Sequence, residues 1–244
     1  MSYRFTVPTV LVLLAAGVTA QSTRPADKAT SRPSAAKTDA PKTLALGHSV
    51  DASLKLPDLD GNQHSMADFK GRITVVNFWS ARCPVQKGWD PTLSKLVNQY
   101  GDRVTFLMVN SNEANGELQG KGADDKPYGE LRKALTERDL PYKVLIDRHS
   151  VVADAFGART TPDIFVFGKD ARLIYRGLID NDPRGTKGDK TEHHLRDTLE
   201  GLIAGKKLKP RETKPHGCSI KRAKKDGKGD KKRVRRATSR RSDR

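Results

Sequence analysis

Two cysteines, Cys83 and Cys218, are the residues of this chain best suited to chemistry. Cys83 follows an apolar run over residues 73–79 and precedes a helical pattern beginning at Pro84, which fits a first helical turn because it has no N–H to leave unpaired. A thiol at a helix start faces free N–H groups and the positive end of the helix dipole, which favour the thiolate. The thiolate is the nucleophile of disulfide and peroxide chemistry. The alternative is a small, buried and unreactive cysteine.

Other candidate ligands do not form a metal site. Residues 58–61, Asp-Leu-Asp-Gly, imitate the opening of a calcium loop, but the remaining ligands are missing and a hairpin turn explains them better. His193 and His194 are adjacent on a predicted helix and therefore point to different faces. Residues 216–218 offer too few ligands. We expect no metal and no cofactor.

The elements that must position Cys83 alternate between strands and helices. They are a hairpin over 53–61, a short helix over 66–69, a strand over 73–79, a helix over 83–100, a strand over 104–110, a polar surface insertion over 112–128, a helix over 128–138, a strand over 143–146, a short helix over 151–156, an antiparallel pair over 164–167 and 172–179, and a helix over 191–204. The polar residues 110–113 follow a strand. They either line a site at its carboxyl end or form an ordinary polar loop.

Residues 78–86, Phe-Trp-Ser-Ala-Arg-Cys-Pro-Val-Gln, resemble the active-site segment of the thioredoxin superfamily. Together with residues 56–61, 109–113, 161–167 and 217–221, they resemble its peroxiredoxin-like family, the redoxin or alkyl hydroperoxide reductase–thiol-specific antioxidant proteins. The similarity covers about residues 47–222. It implies a thioredoxin-like α/β fold, with a central mixed β-sheet flanked by helices and disordered N- and C-terminal extensions.

The resemblance also implies roles for individual residues. Cys83 would be the nucleophile, and Thr161-Pro162 would form the cis-proline loop that faces it and docks an extended substrate strand. Trp79 is expected to face the core beside the site and to shield the thiol from water. Apart from the resemblance, Cys218 is the only other cysteine of the chain, so we expect it to resolve a mixed disulfide or sulfenic acid through a transient Cys83–Cys218 disulfide, carried by a flexible tail. The alternative is a permanent structural bridge.

The chain departs from the family pattern around the motif. Gln86 stands where a second motif cysteine would be, so no disulfide can form within the motif. Val76 replaces a proline of peroxiredoxins, and Ser80 stands at their threonine position, where it can still donate a hydrogen bond. Arg82 and Arg159 are the basic residues nearest the expected thiolate. Either lowers its pKa, or both are ordinary surface arginines.

Composition divides the chain into four parts. Residues 1–20 are predicted to be an export signal that is cleaved after a small residue or kept as an anchor, and residues 21–46 a disordered linker. Residues 47–208 form the predicted redoxin domain. Residues 209–244 form a basic, largely disordered tail that contains Cys218.

The strong positive charge belongs to the end of the chain. Residues 47–204 hold 22 Lys or Arg and 23 Asp or Glu, whereas residues 205–244 hold 18 basic and 4 acidic residues. Residues 205–244 contain no Phe, Trp or Tyr on which a nucleic-acid base could stack. It is typical of a generic arm for nucleic acid, anionic lipid or cell-wall polymer, or of a solubilising tail without a partner.

Two classes of function follow. The first is a periplasmic or extracellular thiol-dependent oxidoreductase, in which Cys83 attacks a disulfide or a peroxide and an external thiol or dithiol restores the enzyme. The second is a redox-inactive thioredoxin-fold binding module whose basic tail binds polyanions. Retention of both cysteines and of Thr161-Pro162 favours the enzyme.

Overall fold

The computed structural model describes residues 44–182 and 186–223, which form ten β-strands and four α-helices. The strands are β1 (Lys55–Pro57), β2 (Gln63–Ser65), β3 (Ile73–Phe78), β4 (Val104–Asn110), β5 (Val144–Ile146), β6 (Thr160–Thr161), β7 (Ile164–Phe167), β8 (Leu173–Gly177), β9 (Arg211–Glu212) and β10 (Cys218–Ser219). The helices are α1 (Pro84–Tyr100), α2 (Gly129–Glu137), α3 (Val151–Phe156) and α4 (His194–Ile203). The predicted signal, nearly all of the linker and most of the basic tail lie outside the described residues. Within those residues, no helix combines the length and apolar character needed to cross a membrane.

Six strands form a mixed sheet in the order β5-β4-β3-β7-β8-β9. Strands β3, β4 and β5 are parallel, and β7 runs antiparallel to both β3 and β8. The βαβ beginning and ββα ending predicted from the sequence are confirmed, and the fold is thioredoxin-like. Two small sheets, β1-β2 and β6-β10, lie outside the main one.

Strand β3 is buried along its whole length because helices cover both faces of the sheet. Ile73 and Val75 belong to one apolar cluster, which they share with α1, α2 and α4. Val76 and Phe78 belong to a second cluster, where Phe78 meets Phe156 of α3 edge to face at 5.7 Å. The run over 73–79 is therefore buried throughout, including its two polar residues Thr74 and Asn77, and Cys83 lies shortly after its carboxyl end.

The domain extends past residue 208, where the sequence placed its end. Strand β9 joins the sheet edge parallel to β8, and β10 pairs with β6. A Cβ on Gly177 would overlap the carbonyl oxygen of Thr213, so glycine permits this close approach. Residues 209–222 are therefore part of the folded domain. We call residues 213–222 the C-terminal strap.

Candidate active site

Cys83 is the N-cap residue of α1, with extended backbone angles (φ −77°, ψ 115°). Its Sγ accepts a hydrogen bond from the Gln86 N–H at 3.3 Å, and Pro84 occupies the first turn. Cys83 is only 3 % exposed. The thiol therefore lies at a buried helix start with a backbone donor aimed at it, an arrangement that favours the thiolate.

The loop between β6 and β7 faces this thiol. The Thr161–Pro162 peptide bond is cis, and the thiol of Cys83 lies 2.9 Å from the carbonyl oxygen of Thr161, to which it donates when protonated. The N–H of Phe78 donates to the carbonyl oxygen of Asp163 at 3.0 Å, which fixes the loop to the end of β3. The structure thus brings the Thr161–Pro162 loop to the Cys83 thiol.

The C-terminal strap brings the second thiol to the same place. Strand β10 pairs antiparallel with β6, and Cys218 stands opposite Thr161 in the register. Both cysteines are free thiols, and both line the same cavity. Strand pairing therefore brings together two residues that are far apart in the sequence.

Gly217 allows the strap to lie against the cis loop. A Cβ at this position would overlap the carbonyl group of Thr161 and come within 3.1 Å of the Pro162 nitrogen. Any larger side chain must push the strap away from the loop, because its neighbours there are backbone atoms. Gly217 is therefore a positioning residue for Cys218.

The strap is also fixed on the other side of Cys218. Ile220 is buried, and its N–H donates to the carbonyl oxygen of Arg159 at 3.0 Å. The N–H of Lys221 donates to Oδ1 of Asn112 at 2.9 Å. Cys218 is thus held on the domain from both sides, rather than carried to it by a flexible tail as the sequence had suggested.

The two thiols differ in acidity. Burial raises the pKa of Cys83, but hydrogen bonds from the Cys218 thiol, from Thr161 and from the N–H groups of Gln86 and Cys218 outweigh it, so its pKa lies below its ordinary value. The pKa of Cys218 is raised, first by burial, then by its hydrogen bond to Cys83 and that group's negative charge. Cys83 is therefore the more acidic thiol of the pair.

Ser80 does not donate to the thiol. Its Oγ donates to the Glu117 carboxylate at 2.5 Å, and the same carboxylate accepts from the Ala81 N–H at 3.0 Å and from Nδ2 of Asn110 at 2.6 Å. Glu117 is completely buried, although it lies in the predicted surface insertion, so that prediction is wrong for this residue. Its carboxylate fixes the turn between β3 and α1. The signal in the sequence that part of the insertion is buried was Leu118, its only leucine, which is itself buried.

The two arginines have other partners. Arg82 pairs with Glu130 at 2.5 Å across a half-exposed contact. Arg159 lines a separate cavity of about 600 Å³, together with Asp163 and residues of the strap. Neither guanidinium is among the causes of the lowered pKa of Cys83, because hydrogen bonds fill that role.

The sequence pattern of the AhpC/TSA family matches residues 48–176, more than half of the chain. The chain belongs to the AhpC/TSA family. The thiol-disulfide oxidoreductase ResA of Halalkalibacterium halodurans is 24% identical over 136 residues, covering 55% of this chain and 70% of that protein. The thioredoxin-like protein YneN of Bacillus subtilis is 27% identical over 140 residues, covering 57% and 71%. A crystal structure of a hypothetical protein from Sinorhizobium meliloti 1021 superposes with a TM-score of 0.62 at 26% identity, covering 75% of this chain and 98% of that one.

The match to the AhpC/TSA family ends before β9, so the strap and Cys218 lie beyond it. Cys83, the cis loop and the helix start belong to the matched part. The relatives support an oxidoreductase for this member of the family. Its second thiol comes from a segment that the family pattern does not include.

Within this AhpC/TSA-family domain, a buried polar network occupies the position of a second motif cysteine. Gln86 accepts from Nδ2 of Asn77 at 3.1 Å and donates to Asp90 at 3.0 Å. The indole N–H of the fully buried Trp79 donates to the same Asp90 oxygen at 3.2 Å. Arg138 pairs with the other oxygen at 3.2 Å. Burial nevertheless raises the pKa of Asp90. The helix side of Cys83 is closed and carries no thiol.

A cavity of about 190 Å³ opens over the thiols. Both cysteines line it, together with the side chains of the surrounding loops: Ser80, Arg82, Asn112, Asn115, Thr161, Ser219 and Lys221. In the part of the chain that the structure describes, no group of three or more His, Cys, Asp or Glu residues could hold a metal ion. The chemistry that this arrangement can perform is thiol chemistry.

Proposed function

We propose that this protein is an exported thiol–disulfide oxidoreductase in which Cys83 and Cys218 form the redox pair. The observation that carries the proposal is that the two free thiols line one cavity, where the pairing of β10 with β6 holds Cys218 opposite Thr161. Gln86 leaves no partner within the motif, and Cys218 is the only other cysteine of the chain. The names of the relatives, a thiol-disulfide oxidoreductase and a thioredoxin-like protein, support the same class of reaction.

The reaction consists of two exchanges. The Cys83 thiolate attacks one sulfur of a substrate disulfide, its S–S bond breaks, and one thiolate leaves while a mixed disulfide forms on Cys83. Cys218 then loses its proton and attacks Sγ of Cys83, which releases the second substrate thiolate and forms the Cys83–Cys218 disulfide. The substrate gains two electrons and the enzyme loses two. An external thiol or dithiol returns them.

Trapping experiments distinguish the two cysteines. The reduced protein is mixed with 2-hydroxyethyl disulfide, and its adducts are identified by mass spectrometry without reduction. Cys218→Ser should accumulate the mixed disulfide on Cys83, whereas Cys83→Ser should react much more slowly, because the remaining thiol has a raised pKa. Equal reaction of the two variants would contradict the assignment of Cys83 as nucleophile. Failure of both variants to react would favour the redox-inactive binding module instead.

Peroxide is the second oxidant to consider. It would convert Cys83 to a sulfenic acid, which Cys218 would resolve to the disulfide with loss of water. The Ser80 hydroxyl, which the sequence placed in the threonine role of peroxiredoxins, instead donates to Glu117. We therefore place disulfides ahead of peroxides as substrates.

Export and polyanion binding are also part of the proposal, and both depend on residues largely outside the described ranges. Residues 1–20 have the pattern of an export signal, and an oxidising periplasmic or extracellular compartment suits a cysteine pair. Residues 223–244 should bind polyanions in a salt-sensitive manner. Removing them should abolish retention on heparin at low salt. Undiminished retention would place the basic site on the folded domain.

A further inference from the structure

The strap occupies the edge of β6 next to the nucleophile. In β10, Cys218 and Ser219 pair with this edge, so an extended strand from another protein cannot add there while the strap is docked. Cys83 itself is 3 % exposed. The protein thus covers, with its own chain, the surface on which a protein substrate would have to lie.

The strap is anchored at both of its ends. At the start, the Thr213 hydroxyl bonds with the Tyr175 hydroxyl at 2.7 Å and accepts from the Leu178 N–H at 2.9 Å. At the end, the Arg222 guanidinium donates to the carbonyl oxygen of Ala158 at 2.6 Å and to Asp154. Release of the strap would break these contacts and expose Ile220, in addition to unpairing β10. These contacts stabilise the docked state at both ends of the strap.

The space left over the thiols is small. The cavity there measures about 190 Å³ and is partly open to solvent. A small disulfide can enter it, whereas an added strand would need the β6 edge that β10 already occupies.

We infer that the docked strap selects small-molecule disulfides as the substrates of Cys83 and excludes disulfides carried on proteins. This inference rests on the proposed function, since it specifies the substrate class of the same thiol. The step concerned is the first exchange, in which the Cys83 thiolate joins one reagent sulfur and the other sulfur leaves as a thiolate.

The test compares a small and a protein disulfide in a Cys218→Ser background, so that only Cys83 reacts. The reagents are 2-hydroxyethyl disulfide and insulin, and the rate of loss of the Cys83 thiol is measured for each. Gly217→Val loosens the strap at the cis loop, and Ile220→Ala loosens it at a second, independent place. Gly88→Ala is the matched control, because Gly88 is exposed and a Cβ there meets nothing within 4 Å.

Either loosened variant should raise the insulin rate relative to the 2-hydroxyethyl disulfide rate by about tenfold or more, because a weakened strap is open more of the time. The ratio cancels any change in thiol acidity. Gly88→Ala should leave it unchanged. An unchanged ratio in both loosened variants, or a starting protein that reacts with insulin as fast as they do, overturns the inference while the proposed function stands. Failure of Cys83 to react with either reagent in any variant overturns both.

Discussion

The helix side and the strap side of Cys83 are built in different ways. On the helix side, Gln86 lies in the first turn of α1, within a buried network centred on Asp90. On the strap side, Cys218 comes from a two-residue strand far along the chain and borders an open cavity. The helix side is closed and without a thiol. The strap side carries the second thiol and is open to solvent through that cavity.

The comparison teaches that a nucleophile and its partner can depend on different levels of structure. The acidity of Cys83 comes partly from local geometry, because a helix start supplies the Gln86 N–H. Its partner is set by topology, because only the pairing of β10 with β6 brings Cys218 to it. Because the second thiol lies on the strap and not on α1, the protein's own chain also covers the site.

The largest effect is expected when the second thiol is transferred from the strap to the helix side of Cys83. Cys218→Ser alone should stop at the mixed disulfide and lose most of its turnover with a monothiol reductant. Adding Gln86→Cys should restore closure of an intramolecular disulfide within the first turn of α1, because Cys-x-x-Cys spacing permits it. Peptide mapping without reduction detects the bond. Wild-type turnover by Cys218→Ser would show that an external thiol resolves Cys83.

The helix-side network should dominate stability. Asp90→Ala leaves Arg138 and the Trp79 N–H without their buried acceptor, and should lower the free energy of unfolding by about 3–5 kcal/mol. The control is Glu130→Ala, which removes the half-exposed pair with Arg82 and should cost about 0–1 kcal/mol. Denaturant unfolding of the reduced protein measures both. Equal losses would mean that the network contributes no more than a surface ion pair.

On the strap side, Asp163 should make stability depend on pH. Burial raises its pKa from 3.8 to about 7. Between pH 3.8 and about 7 the carboxyl of Asp163 is therefore ionised in the unfolded chain but protonated in the folded protein. The free energy of unfolding therefore falls as pH rises through this window. Asp163→Asn should change little at pH 4 and stabilise by about 2–4 kcal/mol at pH 8. Denaturant titrations at both pH values check this, with the exposed Asp102→Asn as control. A pH-independent effect would contradict it.

The smallest expected effect concerns thiol acidity. Cys218→Ala removes the side-chain hydrogen bond that is the largest of the effects lowering the pKa of Cys83, so that pKa should rise. Cys218→Ser keeps a hydroxyl donor and should raise it less. The alkylation rate of Cys83 against pH gives the midpoints, and the wild-type midpoint should lie below about 8.5. Identical midpoints in wild type and Cys218→Ala would remove Cys218 from the causes.

Much of the fold could be predicted because its main elements carry strong local patterns. Strand β4 (Val104–Asn110), helix α3 (Val151–Phe156) and strand β7 (Ile164–Phe167) have the predicted bounds. The two strands are buried, and α3 ends at Gly157 in the left-handed conformation that glycine favours. Strands β9 and β10 could not be predicted. Each has two residues, mostly exposed and polar, and their backbone pairing leaves no hydrophobic period in the sequence.

The candidate site, like the fold, could be predicted only in part. The helix start at Cys83 and the Thr161–Pro162 loop had sequence signals, whereas the contacts of Ser80 and Arg82 did not. Their partners are Glu117 and Glu130, each reached through tertiary packing. The sequence shows that a serine or an arginine beside the motif can donate a hydrogen bond. It does not show the acceptor, because that depends on which loop packs against the donor. Composition also could not show that the strap is anchored on both sides of Cys218.

The most direct test of the central claim is the identity of the bond formed on oxidation. The full-length reduced protein is treated with one equivalent of 2-hydroxyethyl disulfide, digested without reduction and analysed by mass spectrometry. A linked pair of peptides containing Cys83 and Cys218, separated again by a thiol reductant, is the predicted result. A stable adduct on Cys83 with Cys218 still a free thiol would contradict the account, because the strap would then hold the second thiol beside the nucleophile without using it.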